Sequence, residues 1–237
     1  MQGSVTDRPT THLRLEHLGE PLVAALLTRI SASPGLSSVP ILRPPAAGST
    51  VPAARSTLAT ALVGLSPPLA FLPDAQLDPV SLDGKEHRLD GKSRVDLAIL
   101  DAGGAAVLVE LKLGVSRLAS AAFAKRFLCP CTKTHSAQRL SGKMCAILDG
   151  RFPATSTPPA LAVRHDGSRF VARPGWGLVV RNATRAAWAA RGWPPFERCA
   201  FVATLEDLAA AAGGPAVFDA LVAELVGTES FAAAWGL

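Results

Sequence analysis

The sequence predicts a single α/β domain over residues 1–237, a central sheet flanked by helices, on three observations. Two β-branched and leucine-rich runs, Arg94 to Leu100 and Ala106 to Lys112, flank the turn signal Asp101-Ala102-Gly103-Gly104, a hairpin signature. Helical spacing precedes that hairpin between Leu13 and Ile30 and resumes after it. The chain's 237 residues, 49% of them hydrophobic, suffice for one well-buried core.

The hairpin organises the chain. In a register symmetric about Gly103, Asp96 lies directly opposite Glu110. Strand alternation places Asp96, Ala98, Leu100, Ala106, Leu108, Glu110 and Lys112 on one face. Val95, Leu97, Ile99, Val107, Val109 and Leu111 form the other, a wholly apolar face that must pack against something. Directly opposed carboxylates have Cβ atoms roughly 5 Å apart and repel. A cation between them removes the conflict, and hard divalent ions such as Mg²⁺ take carboxylate oxygens together with water and phosphate. Lys112 adds a positive charge on the same face. The same residues also fit an exposed hairpin on which Lys112 simply pairs with Glu110.

Asp96, thirteen further residues and then Glu110-Leu111-Lys112, set in Arg-Val-Asp-Leu-Ala-Ile-Leu and Val-Leu-Val-Glu-Leu-Lys, resemble the signature of the PD-(D/E)XK nuclease superfamily. The resemblance implies the restriction-endonuclease-like α-β-β-β-α-β core with a mixed central sheet. It implies metal on Asp96, Glu110 and the Leu111 carbonyl, with Lys112 positioning the attacking water. The implied activity is Mg²⁺-dependent hydrolysis of DNA phosphodiesters, with Mn²⁺ as a substitute, in restriction, phage defence or repair. RNA is the other polyanion such a site accepts, and a homodimer or a larger complex is the setting the family allows.

From the N-terminal side, Pro21 fits the first turn of the Leu13–Ile30 helix, and Leu22, Ala25, Leu26, Arg29 and Ile30 follow helical spacing. Glu20, then Glu16, are the acids on it that could join the site, as helix-borne acids do in the resembling family. The alternative is an acid favoured by the helix dipole. Residues 31–53, rich in Pro, Ser and Ala, read as a loop. Ala54 to Leu65 reads as a helix ended by Ser66-Pro67-Pro68, and the first core strand is expected within Val80 to Leu89.

Beyond the hairpin, Val115 to Leu128 and His135 to Leu148 read as helices. Formal charge is +5, and from Gly114 to Arg151 Asp149 is the single acid among Arg117, Lys125, Arg126, Lys133, Arg139, Lys143 and Arg151. A basic segment beside the site suits phosphate-backbone binding; its alternative is a solvated helix face. Thr134-His135-Ser136-Ala137-Gln138 resembles the Gln-bearing helix of some family members. Those carry Tyr where this chain has Gly142, and Tyr is absent throughout. Lys125, Arg126, Lys133, Gln138, Arg139 and Lys143 are the expected backbone contacts.

The remainder reads as scaffold: strands at Arg169–Ala172 and Gly177–Val180 around Pro174-Gly175, and a strand at Cys199–Thr204. A capping box at Thr204-Leu-Glu-Asp207 opens a helix to Ala212, and another helix follows Gly213-Gly214-Pro215. Trp176, Trp188 and Trp193 lie among Arg181, Arg185 and Arg191, an arrangement that suits base stacking or core packing, with packing expected. Cys129-Pro-Cys131 is shorter than a zinc arm, so the four cysteines read as reduced thiols. No apolar run reaches the ~18 residues of a membrane span, and no signal peptide opens the chain, so a cytoplasmic address is expected. Two further readings stand beside the nuclease: a non-catalytic nucleic-acid-binding or assembly subunit on the same fold, and an unrelated α/β protein with a coincidental charged hairpin.

Overall fold

The computed structural model describes residues 11–32, 35–45, 53–77, 80–82, 85–87, 94–113, 162–191, 193, 196 and 198–226. The expected helices at 115–128 and 135–148 lie outside them, as does the whole basic segment with Lys125, Arg126, Lys133, Gln138, Arg139 and Lys143.

The first helix, α1 (Thr11–Ala32), contains Pro21 in its interior rather than in its first turn. An interior proline costs a helix about 3 kcal/mol. The stripe that follows offsets it, since Leu22, Val23, Leu26, Leu27 and Ile30 are all buried. A 3₁₀ turn (Leu36–Ser38) leads into β1 (Pro40–Arg43), which pairs antiparallel with β2 (Ala54–Thr57). Two expectations are corrected here. Residues 31–53 contribute a sheet strand, and Ala54–Leu65 divides into β2 and the short helix α2 (Leu58–Ala61), capped by the Thr57 hydroxyl. Pairing with β1 overrides an alanine-rich helical propensity.

The first core strand is β3 (Leu69–Leu77), not a segment of Val80–Leu89; β4 (Val80–Leu82) and β5 (Lys85–His87) form a separate small hairpin. Pro73 and Asp74 disguised β3, because proline removes a ladder donor and is scarce in central strands. The central hairpin is β6 (Arg94–Asp101) and β7 (Ala105–Lys112). It is followed by β8 (Ala162–His165), β9 (Ser168–Val180), α3 (Asn182–Arg191), β10 (Cys199–Thr204), α4 (Leu205–Ala212) and α5 (Pro215–Val226). The two strands expected around Pro174-Gly175 are one. Gly175 adopts φ +99°, and β9 takes up extra residues against β7 between Ala106 and Leu108. The capping of α4 is as expected, with Asp207 N–H donating to Thr204 Oγ1 at 3.1 Å.

The main sheet is mixed, in the order β2-β1-β10-β9-β7-β6-β3-β8, and β8 also pairs with β9. That pairing closes a five-stranded ring of β9, β7, β6, β3 and β8, from which β10, β1 and β2 extend. β9 is parallel to both β7 and β10; the other pairings are antiparallel. Helices lie on both sides. Leu97, Ile99, Val107, Val109 and Leu111 pack with α1, α4 and α5 in one core. Val95, Ala98, Leu100, Leu108, Trp176 and Leu178 form a second core with Trp188 of α3. Both faces of the hairpin are therefore buried over most of its length. At Gly177 a Cβ would lie 2.2 Å from the Phe201 ring, so only glycine admits that aromatic between β9 and β10.

Candidate functional site

The ladder between β6 and β7 runs in the symmetric register, with Leu97 opposite Val109 and Leu100 opposite Ala106. Extending it by one step sets Asp96 against Glu110. There a side chain takes over from the ladder: Leu111 N–H donates to Asp96 Oδ2 at 2.7 Å. On the other side of β6 the register of β3 sets Asp74 level with Asp96, between the pairs Pro73–Leu97 and Ala75–Val95. Asp74 has φ +48°, left-handed backbone that aspartate adopts more readily than most residues.

Strand alternation slips at this step. Val95 and Ala98, three apart, both enter the second core, as do Leu72 and Ala75 on β3. Val95 therefore departs from the face it was expected to share with Leu97. The slip lies at Asp96 on one strand and Asp74 on the other, where the sheet bends around the acids.

Lys112 draws the acids together. Its Nζ donates to Glu110 Oε2 at 3.0 Å and to the Leu111 carbonyl at 3.0 Å, and lies 3.7 Å from Asp96 Oδ2. Glu110 is almost fully buried, whereas a third of the Lys112 side chain still meets solvent. Burial works against the ammonium, yet Glu110 and Asp96 outweigh it and hold the Lys112 pKa above its usual range. Lys112 is therefore a fixed cation near neutral pH and no proton acceptor.

Helix α1 supplies a further acid. At Gly19 a Cβ would lie 3.1 Å from Leu113 Cδ1, so the helix passes close over the end of β7. The next residue, Glu20, has its pKa raised from 4.5 to about 7. Desolvation is the main cause, and the charges of Asp96, Asp74 and Glu110 add to it, with Lys112 opposing. Of the two acids singled out on this helix, Glu20 thus lies within electrostatic reach of the hairpin acids, whereas the side chain of Glu16 lies outside the described residues. Asp74 was not among the acids the sequence singled out. The signal that would have found it is the register of β3, which brings it level with Asp96 once that strand is recognised.

Asp96, Glu110 and the Leu111 carbonyl offer oxygen donors alone, which is the set a hard divalent cation takes. The Lys112 ammonium already stands among these three groups, so a positive charge is held at that position by the chain itself. Among the described residues no three His, Cys, Asp or Glu side chains are grouped as metal ligands. Two carboxylates and a main-chain carbonyl are what converge.

The aromatic and arginine residues farther along serve packing. Trp176 and Trp188 are buried with their rings 5.8 and 5.2 Å from Phe196, Arg181 pairs with Glu206 at 2.7 Å, and Arg185 with Asp207 at 2.6 Å. Burial pushes the Cys199 thiol pKa up, as in an unreactive cysteine. No single helix among the described residues is long and apolar enough to cross a membrane. The chain matches no family model, no curated protein and no solved structure.

Proposed function

We propose that this protein is a metal-dependent nuclease of the PD-(D/E)XK type, cutting DNA phosphodiester bonds with Mg²⁺ or Mn²⁺. The observation that carries this reading is the convergence of Asp96, Glu110 and the Leu111 carbonyl on one cation position, held by Lys112. The order of elements supports it as well. Helix α1 precedes an antiparallel β3-β6-β7 meander, and β9 then joins β7 in parallel, which accords with a restriction-endonuclease-like core.

Asp96, Glu110 and the Leu111 carbonyl would hold the ion, with Glu20 at its edge. A bound divalent ion supplies charge for the developing phosphorane oxygens and lowers the pKa of an attacking water. The chain's own residues do the rest. Leu111 N–H fixes one oxygen of Asp96, so the carboxylate is oriented in advance. Lys112, permanently charged, orients the water through its lone pairs and stabilises the charge that builds on the phosphate. Glu20, whose pKa desolvation and the neighbouring acids raise to about 7 in the metal-free protein, adds a further carboxylate beside these groups.

The test is incubation of the protein with supercoiled plasmid, linear duplex and single-stranded DNA and RNA, each with Mg²⁺, Mn²⁺ or EDTA. Metal-dependent cleavage that EDTA abolishes is expected. Binding of metal and DNA without turnover on any substrate would replace this reading with that of a non-catalytic nucleic-acid-binding or assembly subunit.

A further inference from the structure

The charge that balances the acid cluster is a lysine of the chain, and its contacts are those an ion at the site would make. The Lys112 ammonium has three N–H donors. It donates to Glu110 Oε2 and to the Leu111 carbonyl, both at 3.0 Å, and lies 3.7 Å from Asp96 Oδ2. These are the same two carboxylates and the same carbonyl that offer a hard divalent cation its oxygens. An ammonium and a divalent ion drawing on one set of oxygens compete for it, and at such separations they also repel. One of them has to yield.

The surroundings decide which group moves. The Glu110 side chain is only 3% exposed, and Asp96 Oδ2 is fixed by the Leu111 amide at 2.7 Å. The Lys112 side chain is 33% exposed and stands on the last residue of β7. Its flexible four-carbon stem lets the ammonium leave while the acids stay. Once outside the cluster, the ammonium lacks an anionic partner, and a phosphate oxygen restores one.

We infer that Lys112 is a resident cation that gates metal loading, so that a divalent ion and a phosphodiester bind cooperatively. The inference rests on the nuclease reading for the identity of the two ligands, and adds to it how the site is regulated. The metal-free cluster is already balanced because the chain supplies the charge. An ion arriving alone drives the ammonium into water. An ion arriving with a phosphodiester lets the lysine exchange its carboxylate partners for a phosphate oxygen. By linkage, each ligand then raises the affinity of the other by the same factor. A loaded centre without its substrate is thereby disfavoured.

The experiment follows the Lys112 amine in the wild-type chain. Acetylation by an N-hydroxysuccinimide ester is read at Lys112 by mass spectrometry, against the chain's other lysines. The three conditions are EDTA, Mn²⁺, and Mn²⁺ with a phosphorothioate DNA duplex that resists cutting. An ammonium held between acids reacts slowly, so labelling is expected to be low in EDTA, higher on the order of tenfold in Mn²⁺, and low again with the duplex. Calorimetry gives the Mn²⁺ affinity of wild type and of Lys112→Met, each with and without that duplex. Lys112→Met is expected to bind Mn²⁺ about tenfold tighter than wild type without DNA, and to gain less from the duplex by a similar factor. Three results overturn the gate while leaving metal binding in place: equal labelling in EDTA and saturating Mn²⁺, no tighter Mn²⁺ binding by Lys112→Met, or an equal gain from the duplex in both chains. Mn²⁺ bound by Lys112→Met but by wild type only with the duplex supports it. Failure of both chains to bind Mn²⁺ with or without DNA overturns the gate and the metal-dependent reading together. If the melting curve shows that Lys112→Met does not fold, the wild-type labelling decides.

Discussion

The two ends of the β6–β7 hairpin each bury carboxylates and treat them in opposite ways. At the turn, Asp101 is buried and accepts from the amides of Ser66 at 2.9 Å and Ala105 at 2.8 Å. Those backbone donors, Ser66 first, hold its pKa below the usual carboxylate range. At the open end Asp96 accepts from the Leu111 amide, Glu110 and Asp96 share the Lys112 ammonium, and their charges reach Glu20. Glu20 is raised to about 7 by desolvation and by those like charges. An acid satisfied by backbone amides is a structural tie. Acids gathered around one shared ammonium are balanced by charge rather than by backbone donors.

The comparison breaks most visibly if the open end is altered without consequence. Asp96→Ala and Lys112→Ala are each expected to cost on the order of 10²–10³ in cleavage rate, for distinguishable reasons. Asp96→Ala removes an oxygen donor, so calorimetric Mn²⁺ affinity falls along with activity. Lys112→Ala removes the internal cation from among the same oxygens, so Mn²⁺ binds at least as tightly as in wild type while cutting is poor. The metal-free Lys112→Ala protein leaves its carboxylates facing each other, and the rise in melting temperature on adding Mn²⁺ is expected to exceed that of wild type. Wild-type cutting by Lys112→Ala would reduce the lysine to a salt-bridge partner.

The turn end is expected to respond in stability alone. Asp101→Ala strands the amides of Ser66 and Ala105, at a cost of about 2 kcal/mol. That corresponds to roughly 4–8 °C in melting temperature for a chain of this size. Cleavage per folded molecule stays at the wild-type level. Because the folded-state pKa of Asp101 is depressed, its stabilisation is present above the unfolded value of 3.8 and is lost as pH falls below it. Asp101→Asn, uncharged throughout, is expected to melt with a flatter acid limb below pH 4 than wild type. A change in metal affinity in either variant would mean that the two ends are coupled.

Much of the open end was legible because a strand period of two leaves little freedom. Once Gly103 is taken as the turn, Asp96, Glu110 and Lys112 must meet, and they do so in the structure around one amine. The helices after Thr204 were legible for a similar reason, since the Thr204 cap and the Gly213-Gly214-Pro215 break are local chemistry. What was hidden depends on partners distant in sequence. β2 lies in an alanine-rich run that becomes a strand only against β1. β3 contains Pro73 and a left-handed Asp74, which carry no strand pattern until pairing with β6 and β8 is known. Asp74 was invisible on the same account: its place beside Asp96 is defined by register between strands that no local pattern links.

The finest distinction between the two ends is the sign of their pH dependence. Glu20 has a folded pKa of about 7 against 4.5 for its ordinary value. Below pH 4.5 both folded and unfolded chains carry the proton, and Glu20 adds no pH dependence. Between 4.5 and 7 the unfolded chain releases its proton while the folded one keeps it, so metal-free stability declines as pH rises through that window and levels off above it. Asp101 has the opposite slope at lower pH. Because Glu20 is only partly buried, water screens its neighbours and the decline is shallow. Glu20→Gln has no proton to lose, so the difference in melting temperature between wild type and this variant is expected to shift in the variant's favour from pH 5 to pH 8. A divalent ion at the site favours the ionised carboxylate, so adding Mn²⁺ should release protons near pH 6.5 in wild type, and fewer in Glu20→Gln. Calorimetry in buffers of different ionisation enthalpy reads that difference directly. Parallel melting curves across pH 5–8 together with equal proton release would place Glu20 outside the acid cluster and leave Asp96 and Glu110 to hold the ion without it.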